Sequence, residues 1–154
     1  MQKNTRLSYL IRQAQLANSQ QLDEVVKEFG LTPSQYMVLG IVKEHREGVF
    51  SAALARRLGV APQSSYEIVV GLERQGLIER TEHLGSRRVL RVGLTSKGTT
   101  LLAKCEKEVG RFEQQFFGAL STEEVAALRE LLIRVIRTNR EKVAAESLVA
   151  SGTR

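Results

Sequence analysis

The sequence predicts a mainly α fold with one β-hairpin, flanked by long helices at its N- and C-terminal ends. Three observations carry that prediction. Apolar residues recur at spacings of three and four over most of the 154 residues. Both prolines, Pro33 and Pro62, sit where an apolar stretch begins, the position a helix tolerates best. Only one neighbouring pair of strand-like runs stands out, "LIERTE" and "RVLRVGL", with "HLGS" between them.

The elements follow in order. Residues 6–29 form one long helix, with Leu7, Leu10, Ile11, Ala14, Leu22, Val25, Val26 and Phe29 on its stripe and Gly30 as its stop. In "LTPSQYMVLGIVKEHREG", Thr32 caps the second helix, Pro33 takes its first position and Gln35 completes a capping box; that helix ends near Gly48. "FSAALARRLG" is a short helix capped by Ser51 and closed by Gly59. Pro62 opens the next helix, which Gly76 ends. Two short helices joined by a tight turn make a helix-turn-helix, and the hairpin after it makes the wing of a winged helix-turn-helix. Thr95 caps a further long helix striped by Leu101, Leu102, Cys105, Val109, Phe112 and Phe116. "STEE" at 121–124 is a second capping box, leading the last helix with Val125, Leu128, Leu131, Leu132, Val135 and Ile136 on one face.

The organisation expected is therefore a winged region at 31–94, a helical dimerisation region at 1–30 and 95–145, and a frayed tail at 146–154. The long helices carry more apolar stripe than a central winged domain can cover. A second copy of the chain covers it most economically, as a symmetric homodimer.

Charge and composition limit the function. The chain carries a net charge of +6, and residues 51–91 hold seven arginines against four glutamates. A basic balance concentrated on one motif suits a polyanion such as double-stranded DNA. No apolar run approaches the ~18 residues of a membrane span, and nothing at the N-terminus reads as a secretory signal, so no membrane partner and a cytoplasmic location are expected. With two histidines and one cysteine, no catalytic residue, metal site or cofactor is expected.

The recognition helix should bury one face and offer the other. Ser65, Ile68, Val69 and Leu72 form the inward stripe, which leaves Gln63, Ser64, Tyr66, Glu67, Val70, Gly71 and Arg74 outward or flanking. Gln63, Ser64 and Glu67 cluster at the end where such helices touch base edges. Glu67 repels phosphate, so it is either a base reader or an internal partner for Arg74 or Arg87. Tyr66 either contacts the sugar-phosphate or packs at the edge. Arg87 and Arg88, adjacent on a strand, face opposite sides, so one can enter a minor groove while the other holds the wing or a phosphate. The expected DNA-contacting set is Ser51, Gln63, Ser64, Ser65, Tyr66, Glu67, Arg74, Arg87 and Arg88, with Arg56 and Arg57 as weaker phosphate candidates.

At this point the chain resembles the MarR family of regulators from about Leu7 to Lys142. The marks are "LTPSQYMVL", "LARRLGVAPQSSYEIVVGLERQGLIER" and "RRVLRVGLTSKG" in that order. The resemblance implies a triangular homodimer with two winged domains on successive major grooves of an inverted-repeat operator. It also implies a repressor released by a small aromatic or anionic effector, bound in a cleft that Tyr9, Arg12, Gln13, Tyr36 and Phe112 of this chain would line. The chain departs from the family at Ser86, where an aspartate often precedes the paired arginines, in the tip "EHLGS", which lacks the usual acidic-proline loop, and at Glu67, where a basic residue is frequent. Some relatives sense peroxides through a cysteine in the first helix. The cysteine here, Cys105, lies on an apolar stripe and reads as a buried hydrophobe, with a redox-sensing regulator as the alternative. A winged helix used only as a protein-interaction module is the other alternative.

Overall fold

The computed structural model describes the backbone of residues 6–45, 48–83 and 86–151, and the side chains of those residues except 82–90 and 142–151. Among the described residues nine elements follow one another: α1 (Leu7–Lys27), α2 (Pro33–Glu44), β1 (Val49–Phe50), α3 (Ser51–Leu58), α4 (Pro62–Arg74), β2 (Ile78–His83), β3 (Ser86–Leu94), α5 (Ser96–Phe116) and α6 (Thr122–Ser151). Residues 1–113 form one compact unit and residues 114–154 a second.

The caps act where the sequence puts them. Thr32 accepts from the Gln35 amide at 3.2 Å while the Gln35 side chain accepts from the Thr32 amide at 2.9 Å, fixing the start of α2. At α6, Ser121 and Glu124 exchange the same reciprocal bonds. Each cap satisfies helix-end amides that would otherwise lack partners.

Four expectations are corrected. The sheet has a third strand: β1 pairs antiparallel with β3, Val49 opposite Val92, so the order is β1-β3-β2. Two residues are too short to show a period in the sequence, and only the long-range pairing defines this strand. Ser51 is the first residue of α3 and makes no capping bond; the N-cap is Phe50, because the chain arrives as a strand. α2 stops at Glu44, with His45 as its cap, short of Gly48. The helical backbone of α6 also runs to Ser151, through most of the segment expected to fray.

The core of the first unit joins α1 (Val26), α2 (Val38, Leu39, Val42), α3 (Leu54), α4 (Val69, Leu72), the sheet (Ile78, Val92) and α5 (Leu102, Cys105, Val109). Much of the α1 stripe stays outside it: Leu7 is 75% exposed and Leu10 and Ile11 are exposed. In the second unit, Leu131, Leu132, Val135 and Ile136 of α6 are likewise exposed. Single exposed leucines are ordinary, but runs of them on long helices mark association surfaces.

α4 is joined to α5 through the turn between α4 and β2. Gly76 takes a left-handed φ of 69° there, which residues with a Cβ adopt at a cost. The Thr95 amide and hydroxyl donate to Leu77 and Gly76 carbonyls at 3.1 and 2.7 Å, and Lys97 Nζ donates to the Gln75 carbonyl at 2.6 Å. Thr95 Oγ1 also accepts from the Gly98 amide at 3.0 Å, capping α5. α5 lies so close that a Cβ on Gly98 would sit 1.9 Å from the Leu77 carbonyl oxygen.

Backbone must therefore move to admit a side chain at 98. Gly98→Ala should destabilise the protein by about 2–3 kcal/mol in urea unfolding. Gly110→Ala on the same helix, where a Cβ meets open space, should be neutral or stabilising by up to ~1 kcal/mol. Equal effects of the two substitutions would contradict the close approach.

Candidate nucleic-acid interface

α4 divides its residues sharply. Ser65, Val69 and Leu72 are buried, and Ile68 packs against the core. Gln63, Ser64, Tyr66, Glu67 and Arg74 are exposed, and Val70 and Gly71 lie between the two sets. Pro62 holds the first position and Ala61 is the N-cap, so no side chain caps the first amides and no acidic residue stands in the first turn. The exposed N-terminal turn thus presents polar side chains beside the positive end of the helix dipole.

Ser65 leaves the expected contact set. It is 1% exposed, its hydroxyl finds no partner among the described residues, and its amide donates to Ala61 at 3.1 Å. Its period places it with Val69 and Leu72, inside. Ser51, half-buried at the start of α3, has no such obstacle.

Glu67 has a partner that the sequence did not suggest. Gln63 Nε2 donates to Glu67 Oε1 at 3.1 Å, one helical turn apart. Among the described residues no hydrogen bond or ion pair links Glu67 to Arg74, and the side chain of Arg87 lies outside them. The pair leaves Gln63 Oε1 and the second Glu67 oxygen available as acceptors and the other Nε2 hydrogen as a donor, on residues that are both exposed.

The ion pair that organises α4 is Glu73–Arg80, which sequence reading missed. Arg80 Nε donates to Glu73 Oε1 at 3.0 Å, and a second guanidinium nitrogen donates to the other carboxylate oxygen. That fork holds the Glu73 carboxyl below the usual carboxylate range and raises Arg80. The Arg80 guanidinium carbon also lies 5.8 Å from the centre of the Tyr66 ring. A signal existed in the sequence: Arg80 shares strand parity with buried Ile78, which turns it toward α4 rather than toward solvent.

The backbone of Arg87 and Arg88 lies in β3, opposite β2, with a register shift between Glu82 and His83. Their side chains, like the tip residues Leu84 and Gly85, lie outside the described residues. Of the weaker candidates, Arg56 is exposed, while Arg57 donates to Glu44 at 3.1 Å and to the His45 ring.

The five expected effector residues fall into two groups. Tyr36 is half-buried beside α5, and Phe112 is 7% exposed. Burial, then the nearby Cys105, Glu106 and Glu113, push the Tyr36 phenol up to about 12, so it stays a neutral donor. Tyr9, Arg12 and Gln13 lie on the exposed part of α1. A cavity of about 450 Å³ opens elsewhere, lined by Val42, Lys43, His45, Glu79, Thr81 and Thr99 among others, and none of the five lines it.

Comparisons with known proteins agree with this architecture. The sequence profile of the MarR family matches residues 29–89. A protein assigned to transcriptional regulation of the hcr operon in Thauera aromatica is 32% identical over 136 residues, covering 88% of this chain and 81% of its own length. The homoprotocatechuate degradative operon repressor of Escherichia coli is 26% identical over 126 residues, covering 82% of this chain and 84% of the repressor. The crystal structure of the S. aureus MepR–DNA complex matches with a TM-score of 0.74 at 25% identity, covering 88% of this chain and 98% of that one.

Cys105 is fully buried, and burial, with Glu106 adding to it, pushes its thiol up to about 11. At pH 8 roughly one molecule in a thousand then holds a thiolate. A disulfide reagent should leave the native protein unlabelled over an hour and label one thiol promptly in urea. Fast native labelling would restore the redox-sensing alternative.

Proposed function

The chain belongs to the MarR family of transcriptional regulators, and on that footing we propose that it is a homodimeric repressor that reads an inverted-repeat operator through α4 and releases it on binding a small effector. It works in the cytoplasm, where its DNA is, and it needs no catalytic residue or cofactor to do so. The observation that carries this reading is the division of α4: Val69 and Leu72 anchor it, while Gln63, Ser64, Tyr66 and Glu67 stand in solvent at its N-terminal end. MepR, a solved relative of similar fold, is bound to DNA.

The chemistry of each contact follows from its atoms. Outward the Gln63–Glu67 pair offers the Gln63 carbonyl and the second Glu67 oxygen as acceptors and one remaining Gln63 Nε2 hydrogen as a donor, so it suits the amino groups of cytosine and adenine and, through that donor, a neighbouring acceptor edge in the major groove. Ser64 donates or accepts, to a base edge or a phosphate. Arg74, Arg87 and Arg88 supply charge, with the wing arginines directed at phosphate or a minor groove. The exposed stripes of α1 and α6 supply the dimer. The effector is a small aromatic or anionic molecule. Supporting this, the E. coli relative is the repressor of an operon for homoprotocatechuate degradation. Arg12 is the cation that would meet a carboxylate, with Tyr9, Gln13, Tyr36 and Phe112 beside it once a partner subunit closes the cleft.

The test is binding to a duplex that the protein selects from random DNA, together with single-base variants, at two salt concentrations. The selected sequence should be an inverted repeat with half-site centres about 10 base pairs apart. Arg87→Ala and Arg88→Ala should weaken binding to all variants alike and reduce the salt slope by about 0.9 per lost phosphate contact. Glu67→Ala should lose about 1–3 kcal/mol of preference at one base pair and bind nonspecific DNA as well or better. Unchanged binding in all of these variants would put the wrong face of the protein on the DNA.

A further inference from the structure

Arg80 lies on β2, outside every set of residues expected to touch DNA. Its Cα is opposite that of Val92, which is buried, so it lies on the core face of the sheet. Only 23% of its side chain is exposed, an unusual place for a guanidinium unless it is held. Two of its nitrogens are committed to Glu73, late in α4. Its remaining surface faces Tyr66, seven residues earlier on the same helix.

Tyr66 is the large residue of the exposed face of α4, and half of it is in solvent. A half-exposed tyrosine on a helix surface normally samples several rotamers, and ordering it on binding costs entropy. Here one side of the ring is already occupied. The Glu73 fork fixes the guanidinium plane, and the guanidinium sits within the ~6 Å at which a cation attracts an aromatic ring.

We propose that Arg80 is a positioning residue for DNA recognition: anchored by Glu73, it holds the Tyr66 ring in place so that the exposed phenol meets the sugar-phosphate backbone without first being ordered. This rests on the reading of α4 as the recognition helix. It assigns Arg80 no contact with DNA of its own. On this proposal Tyr66 takes the sugar-phosphate role of the two that its position allows, and the contact with Arg80 serves that role rather than being its end.

A double-mutant cycle separates these roles. Arg80→Lys keeps the charge but cannot make the two-point fork. On the duplex that the protein selects from random DNA, Arg80→Lys should weaken binding about three- to tenfold, and Tyr66→Ala by at least as much. The double variant should bind as Tyr66→Ala does, because the clamp then has nothing to hold. Glu73→Gln, which loosens the fork without touching Arg80, should repeat the pattern, and it carries the cycle if Arg80→Lys lowers the melting temperature. A merely structural role would lower thermal stability and DNA affinity together, in either background. Equal losses from Arg80→Lys with and without Tyr66, or no loss from Tyr66→Ala, would overturn the proposal while leaving the recognition helix in place. Failure of the unmodified protein to bind or select any DNA would overturn that reading and the proposal with it.

Discussion

The first unit depends on how closely α5 approaches the turn that ends α4. A helix leaves its last carbonyls without intrahelical partners. The turn after α4 answers them itself, its Gln75, Gly76 and Leu77 amides donating to the Gly71, Glu73 and Leu72 carbonyls, and the start of α5 answers the turn: Thr95 and Lys97 bond the carbonyls of Gln75, Gly76 and Leu77, and Gly98 lets the two backbones touch. The junction fixes where α4 ends and where β2 begins. It also makes one rigid connection between the helix that offers polar groups to solvent and the helix that carries Cys105, Val109 and Phe112.

Burial then sets the rotation of α4 about its axis. Each fully buried valine or leucine contributes about 1.5–3 kcal/mol, whereas an exposed ion pair or side-chain hydrogen bond contributes on the order of 1 kcal/mol or less. Val69 and Leu72 thus outweigh anything Gln63, Ser64 and Glu67 do on the outer face. This separation leaves the side chains of the outer face at Gln63, Ser64 and Glu67 free of any part in the core. Glu67, a carboxylate on the face proposed to meet DNA, is tolerated by the fold for that reason, and Gln63 donates to it.

What was legible in the sequence is what local physics decides. The Thr32–Gln35 and Ser121–Glu124 boxes, the proline starts, the glycine stops and the apolar stripes all depend on residues within a turn or two of each other. The long-range features were less legible. β1 exists only through its pairing with β3, and Ser51 loses its cap because that strand runs into α3. Ser65 was already on the inward stripe, and its period outweighed its hydroxyl. The Glu73–Arg80 fork joins a helix to a strand across a turn, and only strand parity hinted at it. The residues expected to line an effector cleft are divided between the core side of α2 and α5 and the exposed stretch of α1, and nothing in one chain's periodicity says what closes over them.

The central claim is that the N-terminal turn of α4 lies in the DNA groove. Tethered cleavage measures this most directly. Because Cys105 is buried, Ser64→Cys provides a single accessible thiol for an iron chelate. On the selected duplex it should cut in two clusters, symmetric about the operator centre and about one helical turn apart. The same chelate at Lys104→Cys, on the exposed side of α5, should give no cutting above background. Strong cleavage from position 104 with none from position 64 would contradict the account.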